Sequence, residues 1–222
     1  MPYVLLLLIT TLLVACQVNQ PAPFPPKPDL PYDAWYIGLG APTYMEAWVE
    51  QVDLTDVNDL MYEDVFGGIA STSTPPNNRG DARGWPENPG PGSSFPMTGM
   101  DLPEKIAVLW QSLAEPQAYR ASFEVSAETR AEMLQPRLAY CAWRDEYETQ
   151  YRDTIAIGVA PGGVVKAWLI GPCLDSIEIA HVQGEINPVG PYNGESNGEF
   201  YRPPSPNAQH YIDTHGIPFG SW

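Results

Sequence analysis

Positive charge is scarce in this chain. Its 222 residues hold 11 Lys and Arg against 27 Asp and Glu, for a formal net charge of −16. A surface of that sign repels phosphate backbones and anionic bilayers, which excludes nucleic acid and anionic membrane surfaces as ligands. Its complement is a protein with a basic face; the same acidity also serves solubility alone. Histidine is scarce too. His181, His210 and His215 stand at no ligand spacing, so no metal site and no cofactor is expected. Long apolar runs are missing. The stretch from Val4 to Val14 is only about 11 residues, where a bilayer-spanning helix needs ~20. No repeat of 20–50 residues is visible, which excludes solenoids and propellers.

What is present begins at Leu13-Val14-Ala15-Cys16. The apolar run, the small residues and the cysteine resemble a bacterial lipoprotein signal, although Met1-Pro2-Tyr3 carries no Lys or Arg. The resemblance implies a signal over residues 1–15 and lipidation at Cys16. The membrane would then be reached through a lipid anchor only, stable once more than one acyl chain is attached. Gln17 stands where inner-membrane-retained lipoproteins carry Asp, which implies the inner leaflet of the outer membrane, facing the periplasm. Residues 16–31, with Pro21, Pro23, Pro25, Pro26, Pro28 and Pro31, read as an extended tether. In that oxidising compartment the remaining cysteines, Cys141 and Cys173, form an even pair, and a disulfide is expected.

Residues 32–222 suit one domain. Strand-like segments dominate. Residues 34–39 are short and aromatic. Residues 44–52 alternate with period two, placing Met45, Ala47 and Val49 on one face and Tyr44, Glu46, Trp48 and Glu50 on the other. Residues 105–110 and 119–125 read as paired strands. Residues 154–159 and 164–170 flank Pro161-Gly162-Gly163, a hairpin signal, and 177–186 form a further strand. Two short helices are expected, one capped by Ser126 and stopped by Pro136, the other opened by Ser205-Pro206 and closed by Gly216. Residues 67–99 are rich in Gly, Pro, Ser and Asn and read as a mobile loop that Trp85 and Phe95 could partly dock. The fold class expected is mainly β, a β-dominated α+β domain: an antiparallel two-layer sandwich with two short helices.

Three patterns bear on chemistry. Gly194-Glu195-Ser196-Asn197-Gly198 matches the G-x-S-x-G elbow of esterases, but Pro188, Pro191 and Pro203-Pro204 crowd it and leave no helix to supply oxyanion amides. It reads as a turn, and no catalytic residue is assigned. Seven acids lie between Tyr44 and Phe66 with no base among them. Asp53 to Asp59 lacks the glycine and distal glutamate of a calcium loop. A solvated face accounts for these acids; a docking face is the other reading. Tyr44 and Trp48 interleaved with Glu46 and Glu50 favour docking, because aromatics inside a polar rim are the anatomy of an interface. If that face packs inward, Trp48 is merely core. Asp145-Glu146-Tyr147-Glu148 reads as a charged loop, and Phe219 and Trp222 are expected to dock the C-terminus onto the domain.

Pro42-Thr43-Tyr44-Met45-Glu46-Ala47-Trp48-Val49-Glu50, Leu102-Pro103, Trp110-Gln111-Ser112-Leu113, Gly158-Val159-Ala160-Pro161-Gly162-Gly163, Val165-Lys166-Ala167-Trp168 and Gly216-Ile217-Pro218 resemble domain-of-unknown-function family 2931 over nearly the whole mature chain. The resemblance implies a Gram-negative lipoprotein and supplies no catalytic residues. Members of that family often sit beside type VI secretion spike genes and lipase-type toxins, which implies a non-enzymatic immunity protein that blocks a protein toxin with a basic face. Tyr44, Glu46, Trp48 and Glu50 are the expected partner-binding residues. A structural or envelope-assembly lipoprotein without a toxin partner is the alternative.

Overall fold

The computed structural model describes residues 27–222, so Cys16 and most of the expected tether lie outside the described residues. Twelve strands and two α-helices follow one another: β1 (Ala34–Gly40), β2 (Ala47–Asp56), β3 (Met61–Ile69), β4 (Ser93–Thr98), β5 (Pro103–Ser112), β6 (Gln117–Glu124), α1 (Ala127–Met133), β7 (Arg137–Cys141), β8 (Glu146–Gln150), β9 (Thr154–Ala160), β10 (Val164–Gly171), β11 (Leu174–Gln183), β12 (Glu185–Ile186) and α2 (Pro206–His215). The first sheet runs β11-β10-β9-β1-β4, the second β12-β6-β5-β2-β3, and β7 pairs only with β8.

Period-two alternation builds the core between the two five-stranded sheets. Trp35, Ile37 and Leu39 of β1, with Val165, Ala167 and Leu169 of β10, meet Val49, Val52 and Leu54 of β2 and Ile106, Val108 and Trp110 of β5. The domain is therefore mainly β and two-layered, as its patterning predicts. It is not wholly antiparallel: β1 runs parallel to β9 while pairing antiparallel with β4. The strands that flank β1 lie far along the chain, a pairing that no local turn encodes.

Both helices start at the expected caps. Ser126 Oγ accepts from the Thr129 amide and Ser205 Oγ from the Ala208 amide, while Gly216 takes φ 73° just past α2. The Pro161–Gly163 turn joins β9 to β10 as expected, with Gly162 at φ 77°.

The stretch expected to be a mobile loop is different. Its first residues belong to β3 and its last to β4. Between them, residues 74–82 pack against Tyr44, α2 and the C-terminal Trp222, and residues 85–91 lie on the outer face of the first sheet. A Cβ on Gly38 would fall 1.8 Å from the Pro91 carbonyl oxygen, and one on Gly158 would fall 2.5 Å from the Trp85 ring. The absence of side chains at these two strand positions is what admits the loop. Trp85 packs edge-on against Trp168, with ring centroids 5.2 Å apart. Ser176 holds the loop at β11, donating from Oγ to the Glu87 carbonyl at 3.0 Å and from its amide to Asn88 Oδ1 at 3.1 Å.

Candidate functional site: an internal clasp and an exposed hairpin

The residues expected on an open docking face are covered. Tyr44 is not on the strand. It sits in the turn before β2 at φ 65°, a costly conformation for a bulky residue, and its ring is fully buried. That ring stacks on Tyr211 of α2 at 4.0 Å, and its hydroxyl reaches the carbonyls of Pro75 and Arg79. Glu46 is buried and accepts from Arg202 Nη1 at 3.0 Å and from the Ser205 amide at 2.6 Å. Trp48 stacks on Tyr201 at 3.7 Å. Glu50 Oε1 accepts from Gln111 Nε2 at 2.9 Å and from the Tyr192 amide at 2.8 Å, while Gln111 Oε1 accepts from the Tyr201 amide at 2.7 Å. Tyr44, Glu46, Trp48 and Glu50 thus form a clasp that seats residues 191–211 on the second sheet. Alternation along one strand separates its two faces; it does not reveal that a segment about 150 residues later covers the polar one.

The electrostatics fit a structural clasp. Burial opposes ionisation of Glu46, but the Arg202 guanidinium and the Ser205 amide and hydroxyl outweigh it and hold the carboxyl below its ordinary value. Two other acids of this region bind neighbouring groups within β2, β3 and the turn between them. Asp56 is buried, its Oδ1 accepts from the Asn58 and Leu60 amides, and its Oδ2 accepts from the Tyr62 hydroxyl. Asp53 Oδ1 accepts from Gln51 Nε2 and from the Asp64 amide.

Ser196 lies in a run of turns, not between a strand and a helix, and its hydroxyl donates to the Pro191 carbonyl at 3.3 Å. Trp222 is buried and donates from Nε1 to the Ala82 carbonyl at 2.8 Å, whereas Phe219 stays mostly exposed. Among the described residues no three His, Cys, Asp or Glu gather to hold a metal ion, and no helix is long and apolar enough to cross a membrane.

The segment that reads as a charged loop belongs to the β7–β8 hairpin, which exposes four large apolar side chains within ten residues. Its strands pair Leu138 with Thr149 and Tyr140 with Tyr147. Ala139 and Cys141 point inward and are buried; Leu138 is 72% exposed, Tyr140 47%, Tyr147 68% and Trp143, at the tip, 68%. Tyr140 and Tyr147 form a cross-strand pair at 5.3 Å, and Arg144 lies 4.2 Å over the Trp143 ring. A two-stranded hairpin is marginal by itself; this one is fastened at both ends. Cys141 is disulfide-bonded to Cys173 in the β10–β11 turn, and the Trp143 indole donates to Cys173 Sγ at 3.3 Å. At the base, Glu132 of α1 takes Arg137 and, at 2.6 Å, Arg152. The hydrogen bond from Arg137 leads the causes that hold Glu132 below the ordinary carboxylate range. Alternation in Arg137-Leu138-Ala139-Tyr140-Cys141 is the signal that could have revealed this strand.

The family described as "Protein of unknown function (DUF2931)" matches residues 17–220. The chain belongs to this family. No curated protein and no solved structure matches it.

Proposed function

We propose that this member of the DUF2931 family is a non-enzymatic, lipid-anchored protein at the periplasmic face of the outer membrane, and that it neutralises a secreted lipase-type toxin by occluding it. The observation that carries this reading is the β7–β8 hairpin. Four large apolar side chains stand open on one rigid, disulfide-fastened element. Exposed aromatics on a pre-organised scaffold lose little entropy on binding and are the residues that anchor interfaces. A second copy of the chain or an anionic bilayer would bring like charge against a protein of net charge −16. The occupant is therefore a protein with an apolar hollow inside a basic rim. An anchor at Cys16 keeps the domain where such a toxin would attack.

The test is capture of secreted and periplasmic proteins by the full chain in detergent at low and high salt. The reading predicts a stoichiometric, salt-sensitive complex with a lipase-like protein. Recovery of envelope components alone would replace it with a structural or assembly role.

A further inference from the structure

A groove of about 510 Å³ lies between the 88–91 loop and the outer face of the first sheet. Its walls are largely apolar: Tyr36, Pro89, Pro91, Ile170 and Leu174. Among the described residues that line it, Asp153 alone is charged. That carboxylate accepts from Thr154 Oγ1 at 3.0 Å, and none of the ion pairs among the described residues includes it. The adjacent base, Arg152, is turned away, donating to Glu132 Oε1 at 2.6 Å and to the Asp175 carbonyl at 3.0 Å. Burial pushes the Asp153 carboxyl above its ordinary range, as expected for a half-buried acid that lacks a cation.

Resting on the binding reading above, we propose that this groove receives one lysine or arginine side chain of the partner protein. The alkyl stem would lie along the proline, tyrosine and leucine walls, and the cationic head would meet Asp153. An anion is repelled by the groove's one charge. A purely apolar occupant would leave that carboxylate desolvated and unpaired. A single carboxylate among apolar walls falls short of the six to eight oxygens that a calcium site takes. The position also fits. Pro172 and Leu174 line one end of the groove and flank Cys173, whose disulfide and contact with Trp143 join that end to the hairpin. A partner seated on the hairpin would thus have the groove beside it.

The test is saturation-transfer NMR on the full chain in detergent micelles, with N-acetyl-arginine amide as probe and N-acetyl-citrulline amide, its neutral isostere, as control. Asp153→Asn should weaken arginine binding about tenfold or more. Ser94→Arg, an exposed groove residue replaced by an internal guanidinium, should abolish it. Equal binding of citrulline, or arginine binding that survives both substitutions, overturns the proposal. A toxin complex indifferent to Asp153→Asn also overturns it and leaves the binding reading intact. Saturable arginine binding that needs Asp153, in a chain that captures no toxin, supports the groove and overturns the binding reading.

Discussion

Glu46→Gln isolates the clasp. The substitution keeps the side chain's size and removes its charge. In the native protein Glu46 is 6% exposed and its carboxylate meets two donors, Arg202 Nη1 at 3.0 Å and the Ser205 amide at 2.6 Å. A hydrogen bond to a charged group contributes about 1.5–3 kcal/mol, and removing one partner of a buried ion pair costs about 3–5 kcal/mol. Arg202 is one-third exposed, so water recovers part of its loss, and a glutamine oxygen still accepts one bond. A net cost of about 2–3 kcal/mol follows, or roughly 4–12 °C in melting temperature for a domain of this size. The pH dependence fixes the cause. A carboxyl whose folded pKa is depressed contributes stability above its unfolded pKa and loses it as pH falls through the folded one. The gap between native and variant proteins should therefore be full at neutral pH and shrink in acid, below the ordinary value of 4.5. Urea titrations across that range measure it. A cost under about 0.5 kcal/mol, in the range of ordinary surface substitutions, or a gap that persists unchanged in strong acid, would refute the reasoning.

Further perturbations follow from the packing. Gly158→Ala places a methyl against Trp85 and Trp168, and should lower stability by about 1–3 kcal/mol in denaturant melts; no loss would mean that Trp85 is not docked there. Replacing both Cys141 and Cys173 with serine opens a bridge of sequence separation 32, and should cost roughly 3–4 kcal/mol by chain entropy. Native-state hydrogen exchange should then rise first in β7 and β8. Asp153→Asn removes a carboxyl whose folded pKa is raised, so it should leave neutral-pH stability unchanged or higher, read by thermal melting. Trp143→Ala with Tyr147→Ala should lower stability only modestly, by about 1 kcal/mol, because both side chains are mostly exposed and lose little beyond the Tyr140–Tyr147 pair and the Trp143 contact with Cys173. Partner affinity should fall about 30-fold for each anchor residue.

The fold was legible where one strand carries its own pattern. The alternating residues of β5, β6, β9 and β10, the Pro161-Gly162-Gly163 turn and the two serine caps are local signals, and each lies where the sequence places it. β3 and β4 are masked in the sequence because Gly67, Gly68 and Pro96 read as loop; β4 is an edge strand, the place that tolerates a proline. The site was harder. Glu46 and Trp48 look like surface residues until Arg202 and Tyr201 arrive from the far end of the chain. Tyr140 and Tyr147 are hidden in sequence by the charges between them, and only the hairpin turn brings their rings together. Long-range partners, not propensities, decide which aromatic is core and which is free.

Hydroxyl-radical footprinting of the chain, alone and with its captured protein, tests the central claim most directly. Leu138, Tyr140, Trp143 and Tyr147 should be oxidised readily in the free protein, as their exposure requires. They should be shielded in the complex, while Phe95 and Phe219 stay reactive. A complex that leaves the four hairpin residues as reactive as before, with protection elsewhere, would contradict the account.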